Sequence, residues 1–411
     1  MRAALDINPI YKCAVCQAAV YLVSNPQKRF FFRHRQEDGS CPAITRGSLS
    51  QEEIRARKYR GLQESEPHKL IKNLIERSLR ADSKFQQESV LQEKRIYLSE
   101  ERDKWRQPDI QALYGKQRIA FEAQLSTTFL DVVVGRRTDY SEAGTQLVWI
   151  LAAFDADDRR LTTDDILFSN NSNIFVVDEE TCRLSEERGA FHLRCHHREP
   201  YVDCEAVKER WTEKIVRFSD VILDLQKQQA YFFDFEAVEN ELQLSLDEEL
   251  RNDFLRCWCS EASPTPNDAQ LNEWTGLRKR LAERNISVPV RPDDDSNFTA
   301  MINGVLSATD GEPVGWHFQK LIQVAHHLAE KYPQHLLAFG YALKWSGNSE
   351  RIRQQDRKGS WATRGRNLRK SLEQKDERYI PDQEWLEALC FLFPEIGARI
   401  TSFLGGLKRA A

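Results

Sequence analysis

The chain lacks any apolar run of membrane length, which argues against a membrane-spanning helix. Its N-terminus also lacks the pattern of a secretory signal. There is no surplus of positive charge: the formal net charge is −4 over 411 residues. A bulk polycation is thereby excluded, and any nucleic-acid contact must come from local patches. Nine cysteines without a secretory signal point to a reducing, cytoplasmic location. What is present suits ordinary globular cores: 41% hydrophobic and 30% charged residues, over a length that fits two or three domains.

The most informative segment is Lys116-Gln-Arg-Ile-Ala-Phe-Glu-Ala-Gln-Leu-Ser126. It has period two, so Ile119, Phe121, Ala123 and Leu125 face one way, and Ala120, Glu122, Gln124 and Ser126 face the other. Arg106-Gln-Pro-Asp-Ile-Gln-Ala-Leu-Tyr114 precedes it across a Gly115-Lys116 turn, as in a hairpin. Pro108 has no N–H and belongs at a strand start or edge, which places Asp109 at the open end of the sheet. Asp109, Glu122 and Gln124 then converge. Two carboxylates and an amide beside one sheet edge suit a divalent cation held against a phosphate.

Flanking segments extend the pattern. Glu64 to Arg80 reads as a helix with Leu70, Leu74, Ile75 and Leu79 on one stripe. Glu64, His68 and Lys72, four and four apart, share another face. Glu88 to Leu98 reads as a strand, Thr127 to Tyr140 as a helix carrying Arg136 and Tyr140, and Thr145 to Phe154 as a strand covered on both faces. The order is helix, three strands, helix, strand.

Near the N-terminus, Cys13-Ala-Val-Cys16 is followed by His34 and Cys41, a spacing that suits tetrahedral Zn²⁺. So short a segment buries little surface, and a metal would supply its stability. A redox pair or free thiols are the alternatives, and the lack of a surrounding βαβ pattern argues against a thioredoxin site.

These pieces in this order resemble the PD-(D/E)xK nuclease core and, more narrowly, the competence-protein CoiA-like nucleases. The resemblance rests on Glu64-Ser-Glu-Pro-His68 with Lys72, Arg106-Gln-Pro-Asp109, Glu122-Ala-Gln-Leu-Ser126, Arg136 with Tyr140, and Val148-Trp-Ile-Leu151. Cys13-Ala-Val-Cys16 and Phe30-Phe-Phe-Arg-His34 also recur in that group. It spans roughly residues 10 to 155. It implies a Mg²⁺-dependent (or Mn²⁺-dependent) nuclease acting on DNA, in DNA uptake, recombination or defence against phage. Glu64, Asp109 and Glu122 would support the metal, and Gln124 would position the attacking water. His68, Lys72, Ser126, Arg136 and Tyr140 would support the site or meet phosphates. The superfamily motif usually ends in Lys. Gln124, as in the CoiA-like group, brings no charge, and a non-cleaving DNA-binding accessory or a zinc-stabilised scaffold is the alternative.

The expected fold is therefore an α/β (α+β) PD-(D/E)xK-type core at residues 60–204. A zinc-ribbon-like segment precedes it at 1–50. A mainly helical region follows at 205–411, with a break near 260–297. Residues 156–204 suggest additional strands, with Asn173-Ile-Phe-Val-Val177 the best. From Glu205 onward the pattern reads as helical, with Trp211, Ile215, Phe218, Val221, Ile222 and Leu225 at helical spacing. The C-terminal half holds no recognisable active-site motif. It carries a basic patch of Arg353, Arg357, Lys358, Arg364, Arg366, Arg369 and Lys370, with Trp361 in a Gly-Ser-Trp loop available for stacking. This half would recognise DNA, bind a protein partner or form homo-oligomers.

Overall fold

The computed structural model describes residues 11–13, 19–24, 30–34, 41, 66–98, 103–125, 130–157, 161–260, 268–374, 376–381 and 383–409. Glu64, Ser126 and Cys16 lie outside the described residues. The chain divides into two compact units, residues 1–242 and 243–411.

The first unit is mixed α/β. Three short antiparallel strands open it: β1 (Tyr11–Lys12), β2 (Ala19–Ser24) and β3 (Phe30–His34). Helix α1 (Glu66–Ala81) follows, burying Ile71, Leu74, Ile75 and Leu79. Leu70, expected on that stripe, is exposed instead. The next strands are β4 (Leu91–Gln92), β5 (Ile96–Tyr97), β6 (Trp105–Arg106), β7 (Ile110–Tyr114) and β8 (Gln117–Gln124). Glu88 to Leu98 is thus not one strand. Glu93 adopts φ 51°, in the left-handed region, which breaks the extended backbone between β4 and β5.

Helix α2 (Leu130–Glu142) crosses from β8 to β9 (Thr145–Leu151). Its Val132-Val-Val134 run disfavours helix, but β8 and β9 are parallel, and a parallel pair needs a crossover. Burial of Val133 and Tyr140 against the sheet overrides the local propensity. Then come α3 (Leu161–Ser169), β10 (Asn173–Val176), α4 (Glu179–Arg188), β11 (His192–Asp203), β12 (Ala206–Arg217), β13 (Ile222–Asp224) and β14 (Gln229–Tyr231). The main sheet has the order β12-β11-β10-β9-β8-β7-β4. The β8–β9 and β9–β10 pairs are parallel and the rest antiparallel.

Residues 156–204 hold the expected strands, with Asn173–Val176 among them, and two helices besides. Of these, α4 is capped by Asp178, which accepts from the Thr181 amide, and by Gly189 at φ 63°. Residues 206–217 are strand, not the expected helix, paired with β11 along their whole length, so the sheet continues past 204. The four-residue step from Trp211 to Ile215 misleads because four is also an even number, and it places both side chains on one face of a strand.

One face of the sheet packs Ile119, Phe121 and Ala123 of β8 against α1 and an aromatic cluster. Phe191 stacks on Phe218 with ring centroids 5.5 Å apart, and Phe85 meets Phe121 at 6.3 Å. The opposite face packs Ala120 with Val133, Tyr140, Leu147 and Trp149. Residues 228–236 are tied to the sheet by buried amides. Asn173 Oδ1 accepts from the Phe232 and Phe233 amides at 3.1 and 3.0 Å, and its Nδ2 donates to the Phe233 carbonyl at 2.8 Å. Asn170 Oδ1 accepts from the Ala230 amide, and Gln228 Oε1 accepts from the Leu147 amide.

The chain passes the division at 242/243 within α5 (Phe235–Ser260). The second unit is helical: α6 (Asp268–Glu283), α7 (Ser296–Asp310), α8 (Leu321–Lys331), α9 (Leu336–Trp345), α10 (Ser349–Gln355), α11 (Ser360–Glu373), α12 (Gln383–Leu392) and α13 (Pro394–Arg409). One core, including Phe254, Trp274, Phe298, Phe339 and Ile400, runs through it. Among the described residues, no helix is long and apolar enough to cross a membrane.

Candidate functional site

Asp109 and Glu122 do come together. Ile110 pairs with Phe121, so continuing the register sets Asp109 opposite Glu122 on neighbouring strands. Asp109 Oδ2 accepts from the Ala123 amide at 2.8 Å. Glu122 lies on the face expected from period two, and it is 1% exposed because α2 covers that face as well. The two carboxyl groups are near enough that Asp109 helps to raise the Glu122 carboxyl.

Each carboxylate has a distinct set of partners. His68 on α1 places Nε2 3.4 Å from Asp109 Oδ1. Arg136 and Tyr140, four apart on α2, both reach Glu122: Tyr140 donates its hydroxyl at 2.6 Å, and Arg136 forms an ion pair. The Arg136 guanidinium also lies over the Trp149 ring, 5.6 Å from its centroid.

These surroundings split the two acids. Burial pushes the Glu122 carboxyl up to about 7, against the pull of Arg136 and with the help of Asp109. Burial also acts to raise Asp109, but His68, the Ala123 amide and Arg136 hold it below the usual carboxylate range. Burial, then Glu122, raise Tyr140 above the ordinary phenol, so it stays a hydrogen-bond donor. Two like charges this close resist ionising together, so the pair calls for a proton or a cation.

The other expected residues are placed as follows. Lys72 is buried on α1 and pairs with Glu93 at 2.6 Å, joining the helix to the break between β4 and β5. Gln124 ends β8, half-buried, beside Leu151 of β9. Trp149 and Asp139 carry no role that the sequence pattern alone implies. Trp149 sits opposite Glu122 in the β8–β9 register, and its buried indole N–H has no hydrogen-bond partner among the described residues. Asp139 on α2 ion-pairs with Arg106 and Lys104, anchoring the β5–β6 hairpin. No local sequence pattern marks Arg106 as that tether, since its partner lies 33 residues further along the chain.

Cys13, His34 and Cys41 form a second group. Their ligand atoms all lie within 4.8 Å of one another. The Cys13 and Cys41 sulfurs are 3.8 Å apart. Zinc–thiolate bonds of about 2.3 Å at a tetrahedral angle set two sulfurs about 3.8 Å apart, so the donor set suits a structural metal such as zinc. It is the one such group of three or more His, Cys, Asp or Glu among the described residues.

Residues 51–236 match a family model described as a domain of unknown function (DUF6035). Residues 2–48, which contain the Cys13, His34 and Cys41 group, match a second, also described as a domain of unknown function (DUF7830). No curated protein and no solved structure matches the chain.

The basic patch of the second unit is more neutralised than its sequence suggests. Arg353 pairs with Glu350, Arg364 with Glu330 and Arg369 with Glu373. Arg366 donates to Thr363, and Arg357, Lys358 and Lys370 are exposed. Trp361 is not in a loop. Asp356 accepts from the Trp361 and Ala362 amides and so starts α11, while the Trp361 ring packs edge-on against Phe339 at 5.6 Å.

Proposed function

We propose that this protein is a metal-dependent deoxyribonuclease of the CoiA-like type, with a PD-(D/E)xK core. The observation that carries this reading is the meeting of Asp109 and Glu122 on neighbouring strands, with His68 from α1 behind one and Arg136 and Tyr140 from α2 behind the other. The order α1, β4, β7, β8, α2, β9 supports it, with β4-β7-β8-β9 adjacent in the sheet. The match to models of unknown function neither adds to it nor argues against it.

The donor chemistry fits a hard cation: two carboxylate side chains, one of them held ionised, with the Gln124 amide at the end of the same strand. Asp109 and Glu122 would hold Mg²⁺ or Mn²⁺. A bound ion would supply an activated water and neutralise a phosphate oxygen. The chain's own groups do the rest. Tyr140 and Arg136 orient Glu122 and offset its charge. His68 fixes Asp109. Gln124 can orient a water through its amide oxygen. Arg136, beside the carboxylates, offers a guanidinium to a phosphate.

The test is cleavage of linear, circular and single-stranded DNA with Mg²⁺ or Mn²⁺, comparing wild type with Asp109→Ala. Wild type cuts and the variant loses at least a hundredfold, about 3 kcal/mol of transition-state stabilisation. Equal cutting by both overturns the site assignment. A second reading, a DNA-binding accessory that does not cleave, is favoured by the uncharged Gln124 and the complete burial of Glu122. Metal-independent DNA binding without cutting on any substrate would establish it. We further propose that Cys13, His34 and Cys41, with Cys16, hold a structural Zn²⁺ that stabilises the N-terminal strands.

A further inference from the structure

A groove of about 620 Å³ opens beside Lys94, Arg95, Ile96, Tyr97, Leu113 and Arg118. Three of its lining residues are cations and none is acidic. Lys94, Arg95 and Arg118 are exposed, and among the described residues none of them is in an ion pair. That sets the groove apart from the patch on α10 and α11, whose arginines largely face carboxylates.

The groove shares a sheet face with the carboxylates. Arg118, Ala120 and Glu122 alternate onto one face of β8, and their partners Leu113 and Gln111 carry that face along β7 towards Asp109. Leu113 lies four steps along the chain from Asp109, about 14 Å at the rise of an antiparallel strand. Beside the groove, Tyr97 and Trp105 face each other across the β5–β6 pair. They are 43% and 41% exposed. The Arg95 guanidinium covers the Trp105 ring at 4.0 Å from its centroid.

We infer that this groove is the subsite for an unpaired nucleic-acid strand leading away from the scissile phosphate, with Lys94, Arg95 and Arg118 on backbone phosphates and a base stacked on the Trp105 ring face opposite Arg95. The inference deepens the nuclease reading and rests on it for the scissile end. Aromatic stacking selects single strand because a paired base has no free face, whereas the three cations alone would accept any polyanion. The substrate class is therefore a single strand or a duplex with an unpaired tail.

The experiment is fluorescence anisotropy of a labelled thymidine homopolymer and of a blunt duplex with the full chain in EDTA. Wild type is compared with Lys94→Ala/Arg95→Ala/Arg118→Ala and with Trp105→Leu, and all three are checked for native circular dichroism. Wild type is expected to prefer the single strand. The triple variant should bind it weakly, with the slope of log affinity against log salt reduced by about 2. Trp105→Leu should lose about tenfold for the single strand and little for the duplex. Wild-type affinity in the triple variant overturns the subsite. So does a Trp105→Leu variant that binds single strand as wild type does. Displacement by polyglutamate as effective as by unlabelled oligonucleotide overturns it in favour of an acidic peptide. Parallel digestion in Mg²⁺ separates the two readings. If wild type cuts and the triple variant binds and cuts equally well, the subsite falls and the nuclease stands. If nothing cuts but the variants lose single-strand binding as stated, the nuclease falls and the strand-binding groove stands.

Discussion

Glu122 is a buried acid with a pKa near neutrality, and its pH behaviour follows with a definite sign. Its folded value of about 7 lies above its ordinary 4.5. Between those values the native state binds more protons than the unfolded chain. Glu122's contribution to the stability of the metal-free protein therefore falls as pH rises from about 4.5 to about 7, and levels off above that. The loss is on the order of 3 kcal/mol by the conversion of pKa shift to free energy. Glu122→Gln should flatten this window in urea unfolding series in EDTA, and a variant with the wild-type slope would show that another group titrates. Asp109, held low, acts in the opposite sense and only below the usual carboxylate range. At this scale the sequence was generous. The period-two pattern put Asp109, Glu122 and Gln124 on one face, and the i, i+4 spacing put Arg136 and Tyr140 together. It did not reveal that their common target is Glu122, because that depends on how α2 lies across β8 and β9, a tertiary fact with no local signature.

At the scale of elements, the strap at 228–236 is held by buried side-chain amides as well as by the burial of Ala230 and Phe235, and the short N-terminal ladder is where a metal would add most. If Zn²⁺ holds Cys13, His34 and Cys41, purified protein carries one equivalent of zinc. Removing it with a chelator should release the β1–β3 ladder while leaving the main sheet's circular dichroism in place. Absence of stoichiometric zinc removes that account. The strap depends on Asn173, which is 0% exposed and makes three bonds to the backbone of Phe232 and Phe233. Asn173→Ala leaves those groups unsatisfied and is expected to cost about 2–4 kcal/mol in denaturant unfolding. Element identity was legible for β8, where the period was clean, and for β9 and β10, where the run was continuously apolar. It failed for β12, where a step of four residues fits strand and helix alike. It failed again between β4 and β5, where one left-handed residue, Glu93, splits an apparently continuous strand.

At the scale of the whole molecule, the two units have separate hydrophobic cores. Residues 235–411, which include all of α5, should fold alone. The expected signs are a helical circular dichroism spectrum and one cooperative urea transition followed by tryptophan fluorescence. A non-cooperative, unfolded fragment would mean that this unit is not a folding unit. Composition foretold more than one domain, and the sequence signalled a helical second half. It could not locate the change from sheet to helix, which comes at Phe235, because strand pairing between β11 and β12 is fixed by contacts across a turn and not by either segment's own pattern.

The amide strap carries one more consequence, in the chemistry of ageing. Asparagine is among the thermolabile residues, and hydrolysis of the Asn173 side-chain amide would turn its Nδ2 from a donor to the Phe233 carbonyl into an acceptor oxygen facing another acceptor. A carboxylate would then sit at a position with no solvent to receive its charge. A change of about one mass unit at this residue would thus be enough to pry residues 228–236 from the sheet. Prolonged heating of this protein would then end in a covalent lesion that cooling does not reverse.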